Sequence, residues 1–166
     1  MPTAFLVSLF EHKAWCNRRL AEALAAAPAD ADRLEMSIVL LTFEHTWRVD
    51  RVFKARLEGA APDLDAVVGA RRPDIAELAA EMAELDAWYL DYARRVTPAE
   101  LETEVVFNYV SDPDEGRMTK GEILAHVITH GASHRGAVGK MLERLGVAGA
   151  SDMVTTFTRE RREGRA

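Results

Sequence analysis

The 166-residue sequence lacks several features that would place it in a common functional class. It contains a single cysteine, Cys16, so no disulfide can form within the chain. No apolar run approaches the ~20 residues of a membrane span, and the apolar start "AFLVSLF" has no preceding basic segment of a signal peptide. Because these properties suit a reducing compartment, we expect a cytoplasmic protein with no membrane partner.

A surplus of basic charge is also missing. The chain carries 21 basic and 27 acidic residues, for a formal charge of −6. Nucleic-acid affinity depends on clustered Lys and Arg that displace counterions, whereas the basic run "RERREGR" has acidic residues between its arginines. We therefore expect no nucleic-acid partner. The HExxH motif of zinc proteases is absent as well.

What the sequence does contain is apolar residues at intervals of three and four in four long segments, a spacing typical of amphipathic helices. The predicted helices cover about residues 3–27, 33–59, 73–96 and 119–145. Pro73 is expected in the first turn of the third helix. The fourth is expected to begin with a capping box of Thr119 and Glu122 and to end before Gly146.

The segment between the third and fourth helices breaks this periodicity. "TPAEL" predicts a short helical turn capped by Thr97, and "EVVFNYV" is β-prone and leads into the turn-forming "SDPDEG". We expect a short extended or irregular excursion here. The prediction is an all-α four-helix bundle in one domain over residues 1–166, with residues from about 150 onward as a short helix or frayed tail.

Three histidines recur every four residues in "HVITHGASH": His126, His130 and His134. They line one helical stripe, but His126 and His134 are ~12 Å apart along the axis, so at most an adjacent pair can bind one ion. The predicted line of core positions passes through His130 and His134, whereas His126 lies beside it. This favours His130 and His134 as the metal-binding pair. The apolar members of that line are Ile123, Val127, Ala137, Met141 and Leu145.

The second helix offers a third ligand. His45 occupies a predicted core position, and the apolar members of its stripe are Leu34, Ile38, Leu41, Val49 and Val52. His12, between Glu11 and Lys13, is expected to be exposed to solvent, and Cys16 to be a small buried residue. The pattern leaves two interpretations open: a metal site, or core histidines that are hydrogen-bonded to other groups.

Three segments resemble one known family, the DinB/YfiT-like metalloenzymes: "AWCNRRL", "LLTFEHTWRVDRVFKARLEG" and "ILAHVITHGASHRGAVGKMLERLG". The resemblance implies a four-helix bundle that holds a divalent metal ion through His45, His130 and His134. Zinc or nickel is expected, with iron or manganese as alternatives, because imidazole suits several metals. Many relatives have Gln where this chain has Ala137, so a role of that Gln does not transfer.

The resemblance also implies a function. The family includes thiol-dependent S-transferases and isomerases that use low-molecular-weight thiols, so we expect a metal-dependent transferase or hydrolase acting on small electrophilic molecules, with no catalytic residue assigned. The alternative is a non-catalytic, stress-associated, metal-binding homodimer. A homodimer is expected in either case. Gly131, Gly136 and Gly139 in the fourth helix support this, since each costs a helix ~1 kcal/mol relative to Ala and so indicates a close backbone neighbour.

Overall fold

The computed structural model describes residues 2–28, 33–63, 74–108, 114–148, 150 and 152–165. This part of the chain is mostly helical, with one small sheet. Its elements are α1 (Pro2–Ala25), α2 (Arg33–Leu57), α3 (Ile75–Arg95), α4 (Pro98–Leu101), β1 (Glu104–Asn108), β2 (Glu115–Thr119), α5 (Lys120–Arg144) and α6 (Val154–Arg162). None of the described helices has the length and apolarity needed to cross a membrane.

The helix ends follow local capping chemistry. Asp74 caps α3 by accepting hydrogen bonds from the backbone amides of Ala76 and Glu77. Helix α3 thus begins at Ile75, later than predicted, and Pro73 lies outside the described residues. The predicted cap at Thr97 is confirmed.

The start and end of α5 also match the sequence prediction. Thr119 and Glu122 form both hydrogen bonds of the capping box, 3.1 Å and 2.7 Å long. Gly146, just past the helix, has a φ of +72°, which a residue with a side chain rarely adopts. The sequence around α5 therefore fixes both of its ends.

The excursion before α5 is an antiparallel pair of strands, in which Val105 faces Met118 and Phe107 faces Gly116. Strand β1 matches the β-prone segment, but β2 was not predicted, because "EGRMT" has little β propensity. Gly116 leaves room for the Phe107 ring, whose Cε2 would lie 2.5 Å from an added Cβ. Residues 111–113 of the predicted turn lie outside the described residues, and Glu115 and Gly116 belong to β2.

The four long helices pack in two pairs, α1 with α3 and α2 with α5, and weaker contacts between α1 and α5 and between α2 and α3 connect the pairs. The core includes Phe10, which stacks on Tyr89 with ring centroids 5.3 Å apart, and Val127 of α5. Helix α6 lies against α1, where Trp15, Cys16 and Phe157 form a separate buried cluster. The C-terminal segment is thus a short helix.

The buried faces of α2 and α5 differ from the predicted stripes. Leu34, Ile38 and Leu41 are 72%, 44% and 51% exposed, and Ala137 is exposed on α5. The buried faces instead include charged or polar side chains, namely Glu44, Thr46 and Asp50 on α2 and Arg135 on α5. Apolar spacing misplaced the stripes because it treats charged positions as solvent-facing.

These buried charges pair across the helices. Lys13 of α1 is 1% exposed and lies between two carboxylates, 2.8 Å from Asp50 of α2 and hydrogen-bonded to Asp86 of α3. Asn17 donates a second hydrogen bond to Asp86 and accepts one from Arg135 of α5. We call these five residues the buried ion network; it joins all four long helices.

Candidate metal centre

The contact between α2 and α5 brings three histidines together. One ring nitrogen from each of His45, His130 and His134 lies within 4.8 Å of the others. The ring centroids are 5.2 Å apart for His45 and His130, 4.9 Å for His45 and His134, and 4.4 Å for His130 and His134. We call this group the histidine triad. It consists of the three residues that the sequence and the resemblance selected.

The triad lies nearer the surface than expected. His45 was predicted at a core position, but its side chain is exposed, while His130 and His134 are partly buried. The prediction for His45 failed for the same reason as that for Leu41, since both lie outside the buried face of α2. The triad is therefore open to solvent on the His45 side.

The imidazole of His130 lacks a protein partner. Its Nδ1 is buried and neither accepts nor donates a hydrogen bond within the described part of the chain. Burial, followed by the neighbouring His134, His45 and His126, lowers the pKa of His130 to about 4. Loss of solvent and the proximity of His134 and Arg48 also lower the pKa of His45. Both rings are therefore neutral at pH 7, with lone pairs available for a ligand.

This geometry fits a bound metal ion. Two nitrogens on one tetrahedral zinc are about 3.3 Å apart, given Zn–N bonds of about 2.0–2.1 Å. Separations of up to 4.8 Å can therefore close by small side-chain rotations. Three neutral imidazoles also leave at least one coordination position open, as in catalytic zinc sites.

His126 lies beside the triad rather than within it. Its ring stacks on His130 at 5.2 Å and packs 4.8 Å from the Phe53 ring. Burial and the nearby Arg56 lower the pKa of His126. Its nitrogens do not belong to the group within 4.8 Å of one another. The structure thus gives His126 a place in the wall of the site.

The prediction for His12 was wrong. Its side chain is buried, at 8% exposure, because Trp15 and Phe157 of α6 pack against the ring. Its Nε2 lies 3.2 Å from the Cys16 Sγ and 3.8 Å from an oxygen of Asp152. The spacing of four between His12 and Cys16 was a sequence signal for this pair, whereas nothing in the sequence indicates that Asp152 would join them.

The glycines of α5 have different surroundings. A Cβ at Gly131 would lie 3.0 Å from Arg135 Nη1, so this glycine makes room for a buried guanidinium. An added Cβ at Gly136 or Gly139 meets nothing within 4 Å. The close backbone neighbour expected at these positions is thus not found within the described part of this chain.

Comparison with known proteins places the chain in a family. The model of the DinB family matches residues 1–163, which include both helices of the histidine triad. The curated protein named Protein DinB, from Bacillus subtilis (strain 168), is 25% identical over 155 residues, which cover 88% of this chain and 89% of that protein. No solved structure matches the chain. The span of the family match shows that this chain belongs to the DinB family.

Proposed function

We propose that the chain binds a divalent metal ion through His45, His130 and His134, within a DinB-type four-helix bundle. The observation that carries this proposal is the convergence of three ring nitrogens within 4.8 Å. The buried, unpartnered Nδ1 of His130 supports it, because a buried polar group without a partner costs roughly 1–3 kcal/mol. A metal ion bound at this Nδ1 would offset the cost.

The proposed ion is zinc or nickel. Neutral imidazole is a good ligand for both, and also for iron and manganese, so the donor set selects a group of metals rather than one. Elemental analysis of freshly purified protein tests the identity of the ion. About one equivalent of zinc or nickel at the triad is expected, and a stoichiometric content of iron or manganese instead would overturn this choice of metal.

We further propose a thiol-dependent transfer to a small electrophilic molecule, in the cytoplasm. A bound divalent ion supplies Lewis-acid activation of a thiol. The protein's part is to hold the imidazoles of His45 and His130 neutral, through their lowered pKa values, and to leave the His45 side open. The partly buried His126 ring, backed by the buried ring of Phe53, lies next to His130, and a substrate can pack against it.

The matched variants His130→Ala and His126→Ala test both levels of this proposal. Metal content and turnover with a panel of low-molecular-weight thiols and electrophiles are measured for each. We expect His130→Ala to lose most of the triad's metal and all turnover, and His126→Ala to keep the metal. A metal stoichiometry in His130→Ala equal to that of the wild type overturns the site, whereas metal binding without turnover of any substrate overturns only the reaction.

The second candidate is a non-catalytic, stress-associated homodimer that binds metal. Its dimeric state, which the enzyme would share, is supported by the exposed stripe of Leu34, Ile38 and Leu41 on α2, because large apolar side chains in a row are typical of an interface. We propose that a second copy of the chain covers this stripe. Sedimentation of the wild type and of Leu41→Glu at micromolar concentration tests it. A dimer that Leu41→Glu converts to monomer is expected, and a monomeric wild type overturns it.

A further inference from the structure

A second group of potential ligands lies where α6 packs against α1, apart from the histidine triad. His12 Nε2, Cys16 Sγ and a carboxylate oxygen of Asp152 are all within 4.8 Å of one another. His12 and Cys16 are one turn apart on α1, and Asp152 lies two residues before the first residue of α6. The Cys16 side chain is 2% exposed and the Asp152 side chain 25% exposed. Three different donors thus meet at one point near the surface.

This arrangement differs from a Cys-His-Asp catalytic triad. In such a triad the nucleophile and the carboxylate bind opposite nitrogens of the imidazole. Here the thiol and the carboxylate both face the same nitrogen, Nε2 of His12, at 3.2 Å and 3.8 Å. Burial and the nearby Asp152 raise the pKa of the Cys16 thiol, which also opposes a nucleophilic role. A thiol and a carboxylate that face the same imidazole nitrogen are instead arranged like three ligands around one metal ion.

We propose that His12, Cys16 and Asp152 form a second metal site, which takes a divalent ion of the zinc class. With the usual bond lengths, nitrogen–sulfur and nitrogen–oxygen pairs on a tetrahedral zinc are about 3.4–3.6 Å apart. The observed 3.2 Å and 3.8 Å lie on either side of that range. On binding, the Cys16 S–H bond breaks, its proton passes to solvent, and a sulfur–metal bond forms with no change in oxidation state.

Arg135 holds the carboxylate in place for this site. Its Nε and Nη2 donate hydrogen bonds of 3.3 Å and 3.2 Å to the two oxygens of Asp152. Such a donor behind a ligand orients it and offsets part of the negative charge. The thiolate and carboxylate together carry two negative charges, so the ion's own charge balances them. A solvent molecule entering beside Asp152 would complete four ligands.

The site would attach the C-terminal helix to α1. At present α6 is held there by the Phe157 ring, 5.7 Å from the Trp15 ring, and by Glu160, which accepts hydrogen bonds from Trp15 and Arg19. A metal ion bound by both segments adds a link that the unfolded chain cannot make in the same geometry. The role of the site is therefore structural, in contrast to the open triad.

Cobalt(II) titration of the full chain tests the proposal. A thiolate bound to cobalt gives an ultraviolet charge-transfer band that imidazole ligands do not give. Cys16 is the only cysteine in the sequence, so such a band can arise from this residue alone. We expect the band to appear in the wild type and to saturate by two equivalents, because the histidine triad also takes up cobalt, and to saturate at one equivalent in His130→Ala. A titration that saturates without the band overturns the proposal.

Variants assign the other ligands and keep the two sites distinct. We expect Cys16→Ser to lose the band, and His12→Ala and Asp152→Asn to weaken cobalt binding at least about tenfold, since even outer-shell changes cost about 10–100-fold. Unchanged affinity in both ligand variants overturns the proposal. In His130→Ala the band is expected to persist, so failure of the triad leaves this result intact. If Cys16→Ser does not fold, the same titration of Asp152→Asn decides.

Discussion

Two polar regions among the long helices differ in the groups they bring together. In the buried ion network, Lys13 lies between Asp50 and Asp86, so opposite charges face one another. In the histidine triad three identical bases face one another, and the buried Nδ1 of His130 has no hydrogen-bond partner in the described structure. In the first region each buried charge lies beside an opposite charge, although neither oxygen of Asp50 has a hydrogen bond of regular geometry in the described structure. In the second, three bases converge with no opposite charge between them, and the proposed metal ion would supply that charge. The first region therefore points to stability and the second to function.

The largest expected effect comes from removing the lysine of the buried ion network. Lys13→Met leaves Asp50 and Asp86 buried without a cation, and removal of one partner of a buried ion pair costs about 3–5 kcal/mol. Urea denaturation should show this loss in the free energy of unfolding. The control Lys140→Met removes an exposed pair with Glu143 and should cost no more than ~1 kcal/mol. Equal effects of the two variants would contradict the comparison.

The second prediction concerns removal of the proposed metal ion from the histidine triad. A ligand at 100 times its Kd stabilises the folded state by about 2.7 kcal/mol. A strong chelator should therefore lower the Tm of metal-loaded wild type by several degrees, since about 2–4 °C accompanies each kcal/mol in a domain of this size. Differential scanning fluorimetry measures it. To isolate the triad from the second proposed site, the experiment uses the Cys16→Ser background, with Cys16→Ser/His130→Ala as control. A chelator shift of equal size in both would contradict it.

The third prediction concerns pH in the metal-free protein. The pKa of His130 is about 4 in the folded state and 6.5 in the unfolded state, so between these values the unfolded chain binds more protons. The contribution of His130 to stability is thus fully present above pH 6.5 and is lost as the pH falls toward 4. Denaturation at pH 7 and pH 5 should show a smaller loss for His130→Ala than for wild type. The same loss in both would show that His130 is not the group responsible.

The smallest expected effect is that of His126, and it tests whether this residue is a metal ligand. His126→Ala should retain most of the triad's metal, because its ring packs on Phe53 and His130 without joining the group of convergent nitrogens. Loss of an outer-shell neighbour should weaken binding by at most about 10–100-fold. Isothermal titration in the Cys16→Ser background measures this, with His134→Ala beside it. A greater loss in His126→Ala than in His134→Ala would move the site one turn toward the start of α5.

What the sequence predicted well is what depends on near neighbours along the chain. The caps at Thr97 and Thr119 need only residues three positions away, and both were predicted. The spacing of His130 and His134 likewise places both rings on one side of any helix. The mostly helical fold follows from the same local periodicity, which four long segments share.

What the sequence did not predict depends on partners far along the chain. Lys13 and Asp50 are buried because they meet each other, and no local rule places a charge inside. His12 is buried because the Phe157 ring of α6, 145 residues later in the chain, packs against the imidazole. Strand β2 forms by pairing with β1, where Gly116 leaves room for the Phe107 ring, and its own composition gives little sign of a strand. The first two failures come from residues far apart in the chain, and the third from pairing across a hairpin.

The β1–β2 hairpin determines the direction in which the histidines of α5 face. Thr119 pairs with Glu104 as the last residue of β2 and is also the cap of α5, and the amide of Lys120 bonds to the carbonyl of Thr103. The point at which α5 starts is thus fixed relative to β1. Because a helix turns ~100° per residue, a slip of one residue in this pairing would swing His130 and His134 about 100° away from His45. Insertions between Thr103 and Glu122 that shift the strand register should therefore abolish the convergence of the three rings while α5 itself stays helical.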